Sequence, residues 1–147
     1  MLLLAPSPSL AQAPQSWTLR DQAGRSWSLT LLEQADPAYP GGLRLRLTDR
    51  SGTQRLDHRR SLQIRDGLGG AWELANRSGE LVPTGVEALP DGSAQFELPG
   101  LEPPPRAELP LALAVPLQAG GETQLLAGAE AVEGLHGAAS RGRHGDR

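Results

Sequence analysis

Between Trp17 and Leu31 apolar side chains recur at every second position. Trp17 and Leu19 alternate with Ser16, Thr18 and Arg20, Asp21-Gln22-Ala23-Gly24-Arg25 supplies turn chemistry, and Trp27, Leu29 and Leu31 then alternate with Ser26, Ser28 and Thr30. A period of two sends successive side chains to opposite faces of a strand, so the pattern predicts a hairpin with one buried face. Leu32 to Gly42 reads as a loop, and Leu43-Arg44-Leu45-Arg46-Leu47-Thr48 is the cleanest strand, leucines inward and Arg44 and Arg46 outward. Weaker strands are expected over residues 53–57 and 61–65, and Trp72 and Leu74 restart the inward set. Residues 86–89 and 95–98 predict a hairpin about Pro90-Asp91-Gly92-Ser93. Residues 109–117 alternate again, with Pro110 and Pro116 on one face, which suits an edge strand whose amides point to solvent. A last strand is expected over residues 123–132 after Ala119-Gly120-Gly121-Glu122.

About eight to ten short strands with turns every eight to twelve residues predict an all-β fold, a single antiparallel β-sandwich or small barrel. The 147 residues are room for one domain, placed at 14–133. Eighteen Gly and 13 Pro disfavour a helix bundle. No helix is required, and residues 127–135 are the one stretch whose propensity would allow it. Residues 134–147, rich in Gly, Arg and His, predict a disordered tail. At the other terminus, Met1-Leu2-Leu3-Leu4-Ala5 leads to Ala11-Gln12-Ala13, an A-x-A site after an apolar run. Residues 1–13 therefore read as a truncated signal peptide with cleavage after Ala11 or Ala13. An ordinary apolar N-terminus would instead leave the chain cytoplasmic. No later stretch approaches the ~20 apolar residues of a membrane span.

Charge and composition then remove several kinds of chemistry. Absence of cysteine excludes disulfides, thiolate metal sites and cysteine nucleophiles, and absence of lysine excludes a Schiff base or a P-loop. A net charge of -3 argues against a dedicated nucleic-acid binder. His58, in Asp57-His58-Arg59-Arg60, is the one histidine beside an acid within the domain. A small hydrolase built on it would need a serine and a buried acid within reach. No Gly-x-Ser-x-Gly is present, and no catalytic residue, metal site or cofactor is expected. Gly67-Leu68-Gly69-Gly70 lacks the helix that a phosphate cradle needs, and Asn76-Arg77-Ser78 matches a glycosylation acceptor. Trp17, Trp27 and Trp72 fall on the apolar side of their strands and are assigned to the core. Arg44, Arg46, Arg55, Arg59, Arg60 and Arg65 remain, on neighbouring segments, as a candidate guanidinium patch for an anionic partner.

The run from Trp17 to Trp27, with its Leu-Arg-Asp-Gln-x-Gly-x-x-Trp hairpin, followed by Leu43-Arg44-Leu45-Arg46-Leu47 and Gly69-Gly70-Ala71-Trp72, resembles a small cyanobacterial family of exported domains of unknown function. The resemblance covers most of residues 16–118. It departs after Leu47, where Thr48-Asp49-Arg50-Ser51-Gly52 stands in place of an apolar Gly-Pro-type turn. What it implies is an exported single domain in the periplasm or thylakoid lumen, with no site to transfer. The expected function is a non-catalytic accessory or binding domain with a protein or anionic surface as partner; the rivals are a His58 hydrolase and a barrel carrying an apolar ligand.

Overall fold

The structure is a computed structural model and describes residues 13–145 apart from 84, 86 and 87. The first alternation becomes β1 (Gln15–Asp21) and β2 (Ser26–Gln34), and the Leu-Arg repeat becomes β3 (Gly42–Asp49). Five shorter strands follow: β4 (Leu62–Arg65), β5 (Ala71–Leu74), β6 (Ser93–Glu97), β7 (Leu111–Pro116) and β8 (Glu122–Ala127). All pair antiparallel in one sheet, in the order β5-β4-β7-β8-β1-β2-β3-β6. The two outer strands then meet. Arg77 donates its N–H to the Gln95 carbonyl at 2.6 Å, Glu97 donates to the Ala75 carbonyl at 2.9 Å, and Asn76 bridges to Phe96. The chain just past β5 thus joins β6, and the sheet becomes a nearly closed barrel. Closure removes the unpaired edges that an open sheet must protect.

Inside, every strand contributes through its period of two. Leu19, Trp27, Leu45, Ile64, Leu74, Phe96, Leu113 and Leu125 are buried, one from each strand in turn. The crossover of residues 50–61, from β3 to β4, closes one end: Leu56 is buried there, its N–H on the Asp91 carbonyl at 2.8 Å, and the Arg55 carbonyl accepts from Gln118 at 2.9 Å. The crossover of residues 98–110, from β6 to β7, closes the other with Leu98 and Leu101. Helix α1 (Ala129–Gly145) packs over this second end against the start of that crossover, β3 and β8.

Several expectations differ from what is observed, among them the last strand, which ends at Ala127 rather than at 132. The disordered tail expected over 134–147 gives way, as far as Gly145, to α1, which also runs past the domain end expected at 133 and buries Ala131, Val132, Leu135, Ala138 and Ala139; residues 146 and 147 lie outside the described residues. His136 fastens it by donating from Nδ1 to the Pro105 carbonyl at 2.7 Å. β7 is no edge strand: it pairs with β4 on one side and β8 on the other. Its prolines are tolerated because Pro110 precedes the strand and Pro116 lies past the last β4 pair, Gln63 with Ala114. β6 pairs with β3 rather than with a strand at 86–89; Val86 and Glu87 lie outside the described residues, and residues 88–90 carry no strand. Residues 53–57 contribute one bridge, Leu56 with Leu117, in place of a strand. The proposed signal segment up to Gln12 also lies outside the described residues. Trp27 and Trp72 are in the core, whereas Trp17 is half-buried beneath α1.

Candidate functional site

The barrel end crossed by residues 50–61 is built by aspartates that cap turns. Asp21 accepts the N–H groups of Ala23 and Arg25 at 2.9 Å, the Arg25 guanidinium at 2.8 Å and the Trp27 indole N–H at 3.0 Å. The Asp and Trp of the hairpin motif are therefore one structural unit, a carboxylate tying its own turn to a core indole. Burial alone would raise the Asp21 carboxyl; the indole, the guanidinium and the two backbone donors outweigh it and lower the pKa from 3.8 to about 2. Asp49 repeats the device with the N–H groups of Ser51, Thr53 and Gln54 at 2.8–2.9 Å, and these donors with the Ser51 hydroxyl hold its pKa down against burial. Asp57 accepts from the N–H groups of Arg59 and Arg60 and pairs with the Arg60 guanidinium at 3.0 Å; the Arg60 N–H is the largest influence lowering its pKa.

Three carboxylates of this end are thus turned onto backbone amides, two of them also holding Arg25 and Arg60, and the other guanidiniums of the crossover are left outward. Arg50, Arg55 and Arg59 are exposed, and among the described residues no carboxylate pairs with them. Arg60 adds a donor from Nη2 to the Leu117 carbonyl at 2.6 Å, which pins the crossover to the β7–β8 turn. The exposed acids nearby, Asp91 and Glu122, pair with none of these four. Of the six arginines singled out in the sequence, Arg55, Arg59 and Arg60 lie on the one crossover between β3 and β4. Arg65 stands apart at the far end of β4. Arg50 joins Arg55, Arg59 and Arg60, on the Asp49-Arg50-Ser51-Gly52 turn that Asp49 caps.

Arg44 and Arg46 are not part of an outward patch. Arg44 is 1% exposed. A short 3-10 helix, Ser78–Leu81, lies across the outer face of β3 and β6 and sets Glu80 on it: Nε to Oε1 at 2.8 Å, Nη2 to Oε2 at 3.1 Å. Nη2 also reaches the Pro40 carbonyl at 2.6 Å. Glu80 accepts from Gln95 at 2.9 Å, and Arg46, half-buried, donates to the Gln95 side chain at 2.9 Å. Burial would raise the Glu80 carboxyl, but Arg44, Gln34 and Gln95 hold it below its ordinary value. Alternation in β3 placed Arg44 outward correctly; what it could not report is a segment 36 residues on that covers the outward face.

The other candidates resolve by their partners. His58 donates from Nε2 to the Pro90 or Ser93 carbonyl, at 3.0 and 2.9 Å, with neither a serine hydroxyl nor a carboxylate on that nitrogen. Asn76 gives its amide N–H groups to the Asp57 and Arg60 carbonyls and its oxygen to the N–H and hydroxyl of Ser78, so the acceptor nitrogen is built into the barrel closure. The Gly67–Gly70 turn is capped by Asp66, which accepts from Leu68 and Gly70. Among the described residues no cluster of three or more metal-ligating side chains occurs, and no helix is long and apolar enough to cross a membrane.

Residues 5–134 match the family described as protein of unknown function DUF3122, and the chain belongs to it. No curated protein and no solved structure matches it.

Proposed function

We propose that this DUF3122 domain is an exported, non-catalytic binding protein that holds an anionic surface of another protein against the barrel end carrying Arg50, Arg55, Arg59 and Arg60. One observation carries the reading. Asp21, Asp49 and Asp57 are engaged with turn amides, while three guanidiniums of the same end have no carboxylate partner among the described residues. Guanidinium presents planar, paired donors that suit carboxylate and phosphate oxygens. A rigid scaffold of capped turns holds them without the ordering cost of a loose loop. The apolar N-terminal run with its A-x-A site supports export to the periplasm or thylakoid lumen.

Affinity capture from the native host tests the reading, with the wild-type domain against Arg50→Ala/Arg55→Ala/Arg59→Ala as bait at low salt. Partners retained by the wild type and lost by the triple variant support it. An unchanged set of partners assigns the arginines to a solvated face. For export, intact mass of the protein from its host should show a chain beginning near Gln12 or Pro14, and retention of Met1 overturns that part.

A further inference from the structure

His58 stands within the arginine-bearing crossover, between Asp57 and Arg59. Its Nε2 lies 3.0 Å from the Pro90 carbonyl oxygen and 2.9 Å from that of Ser93, and a carbonyl oxygen can only accept. Nε2 therefore carries the proton of the neutral ring, which fixes the tautomer and leaves Nδ1 with a bare lone pair. Among the described residues no group bonds Nδ1. A second proton can enter there without breaking either contact to the 90–93 turn. Imidazole is the side chain suited to gain such a charge between about pH 8 and about pH 5.

The segments that meet this turn carry few acids free to neutralise that charge. On the turn itself Asp57 is engaged by the Arg59 and Arg60 N–H groups and the Arg60 guanidinium. Asp49, whose own N–H bonds the Gly92 carbonyl, accepts from the amides of its own turn. Asn76 bonds the Asp57 and Arg60 carbonyls, and Arg77 after it is paired with Glu97. Asp91 on the 90–93 turn and Glu122 past the β7–β8 turn are exposed and form no ion pair among the described residues. Against these two stand Arg50, Arg55 and Arg59, exposed and likewise without a carboxylate partner among the described residues.

Taking the arginine end as the binding surface, we propose that His58 is its proton-dependent cation, so that an anionic partner is held more tightly on the acid side of neutrality. A bound anion favours a positive charge beside it, and binding therefore takes up a proton at Nδ1. By reciprocity, protonation strengthens binding by the same factor that binding strengthens protonation. One further solvent-screened contact sets that factor at about threefold.

The probe is dextran sulfate, whose charge is constant over this pH range, added to the full chain at low salt. The wild type should bind about threefold more tightly at about pH 6 than at about pH 8. The His58 ring resonances should titrate at higher pH with the polymer bound than without it. His58→Gln keeps an N–H donor for the two carbonyls and cannot become charged, so its affinity should match that of the wild type at about pH 8 and stay level down to about pH 6. Wild-type binding that is level with pH, while Arg50→Ala/Arg55→Ala/Arg59→Ala weakens it, overturns the role of His58 and leaves the arginine surface standing. A pH response retained by His58→Gln overturns it equally. Absence of wild-type binding at both pH values overturns the arginine surface together with it. Should His58→Gln not fold, the wild-type ring titration decides: a midpoint that the polymer does not move overturns the proposal.

Discussion

Arg44 shows how little a residue's own sequence context says about its burial. It sits at an outward position of β3, between leucines that face the core, and is closed over by Glu80 from a distant segment. A surface arginine replaced by alanine changes stability by less than about 0.5 kcal/mol. Arg44→Ala instead leaves the covered Glu80 carboxylate without its ion-pair partner and should cost about 3–5 kcal/mol, with Glu80→Ala similar, in denaturant unfolding. Leu45→Ala, on the opposite face of the same strand and fully buried, should cost about 2–5 kcal/mol through lost burial and a cavity. A charged and an apolar neighbour thus become comparably important. Asp21 carries a pH dependence. Its pKa is depressed on folding, so its contribution is complete above the ordinary value of 3.8 and is lost as pH falls through the folded value of about 2. Asp49, Asp57 and Glu80 shift the same way. Unfolding followed from pH 7 downward should show stability falling below about pH 4, and Asp21→Asn should flatten that fall. A wild-type curve level down to pH 2 would contradict the capping role.

At the scale of elements, the first three strands are legible in the sequence and the helix is not. β1, β2 and β3 follow from a period of two that needs no tertiary information. In α1 the buried positions 131, 132, 135, 138 and 139 do follow helical spacing, but three of the five are alanine and glycines are interspersed, so the stripe carries little hydrophobic contrast. Packing makes that composition necessary. A side chain at Gly134 would collide with the Trp17 ring, so only glycine lets the helix seat on β1. Gly134→Ala should therefore destabilise by about 1–3 kcal/mol despite the better helix propensity of alanine. It should also shift Trp17 emission toward that of an exposed indole. Stabilisation with unchanged emission would show that α1 does not sit on Trp17. Pairing of the two outer strands was equally hidden, because it depends on Asn76 and Arg77 reaching Gln95 and Phe96 across a loop.

For the whole molecule, the crossover end gathers three exposed guanidiniums without a carboxylate partner among the described residues. Arg44, Arg77 and Arg46 on the walls are held by Glu80, Glu97 and Gln95, and Arg25 and Arg60 at the crossover end by Asp21 and Asp57; Arg50, Arg55 and Arg59 at that end, like Arg65 at the other, are exposed with no carboxylate partner among the described residues. Trp27, Phe96 and the leucines are buried inside the barrel. The direct test is the salt dependence of binding to poly-glutamate, followed by fluorescence anisotropy for the wild type and for Arg50→Ala/Arg55→Ala/Arg59→Ala. A recognition surface made of outward guanidiniums predicts binding at low salt that weakens steeply as ions screen it. The triple variant should bind roughly tenfold more weakly at low salt, with a shallower salt slope and unchanged unfolding. Equal affinity and equal slope for the two proteins would contradict it.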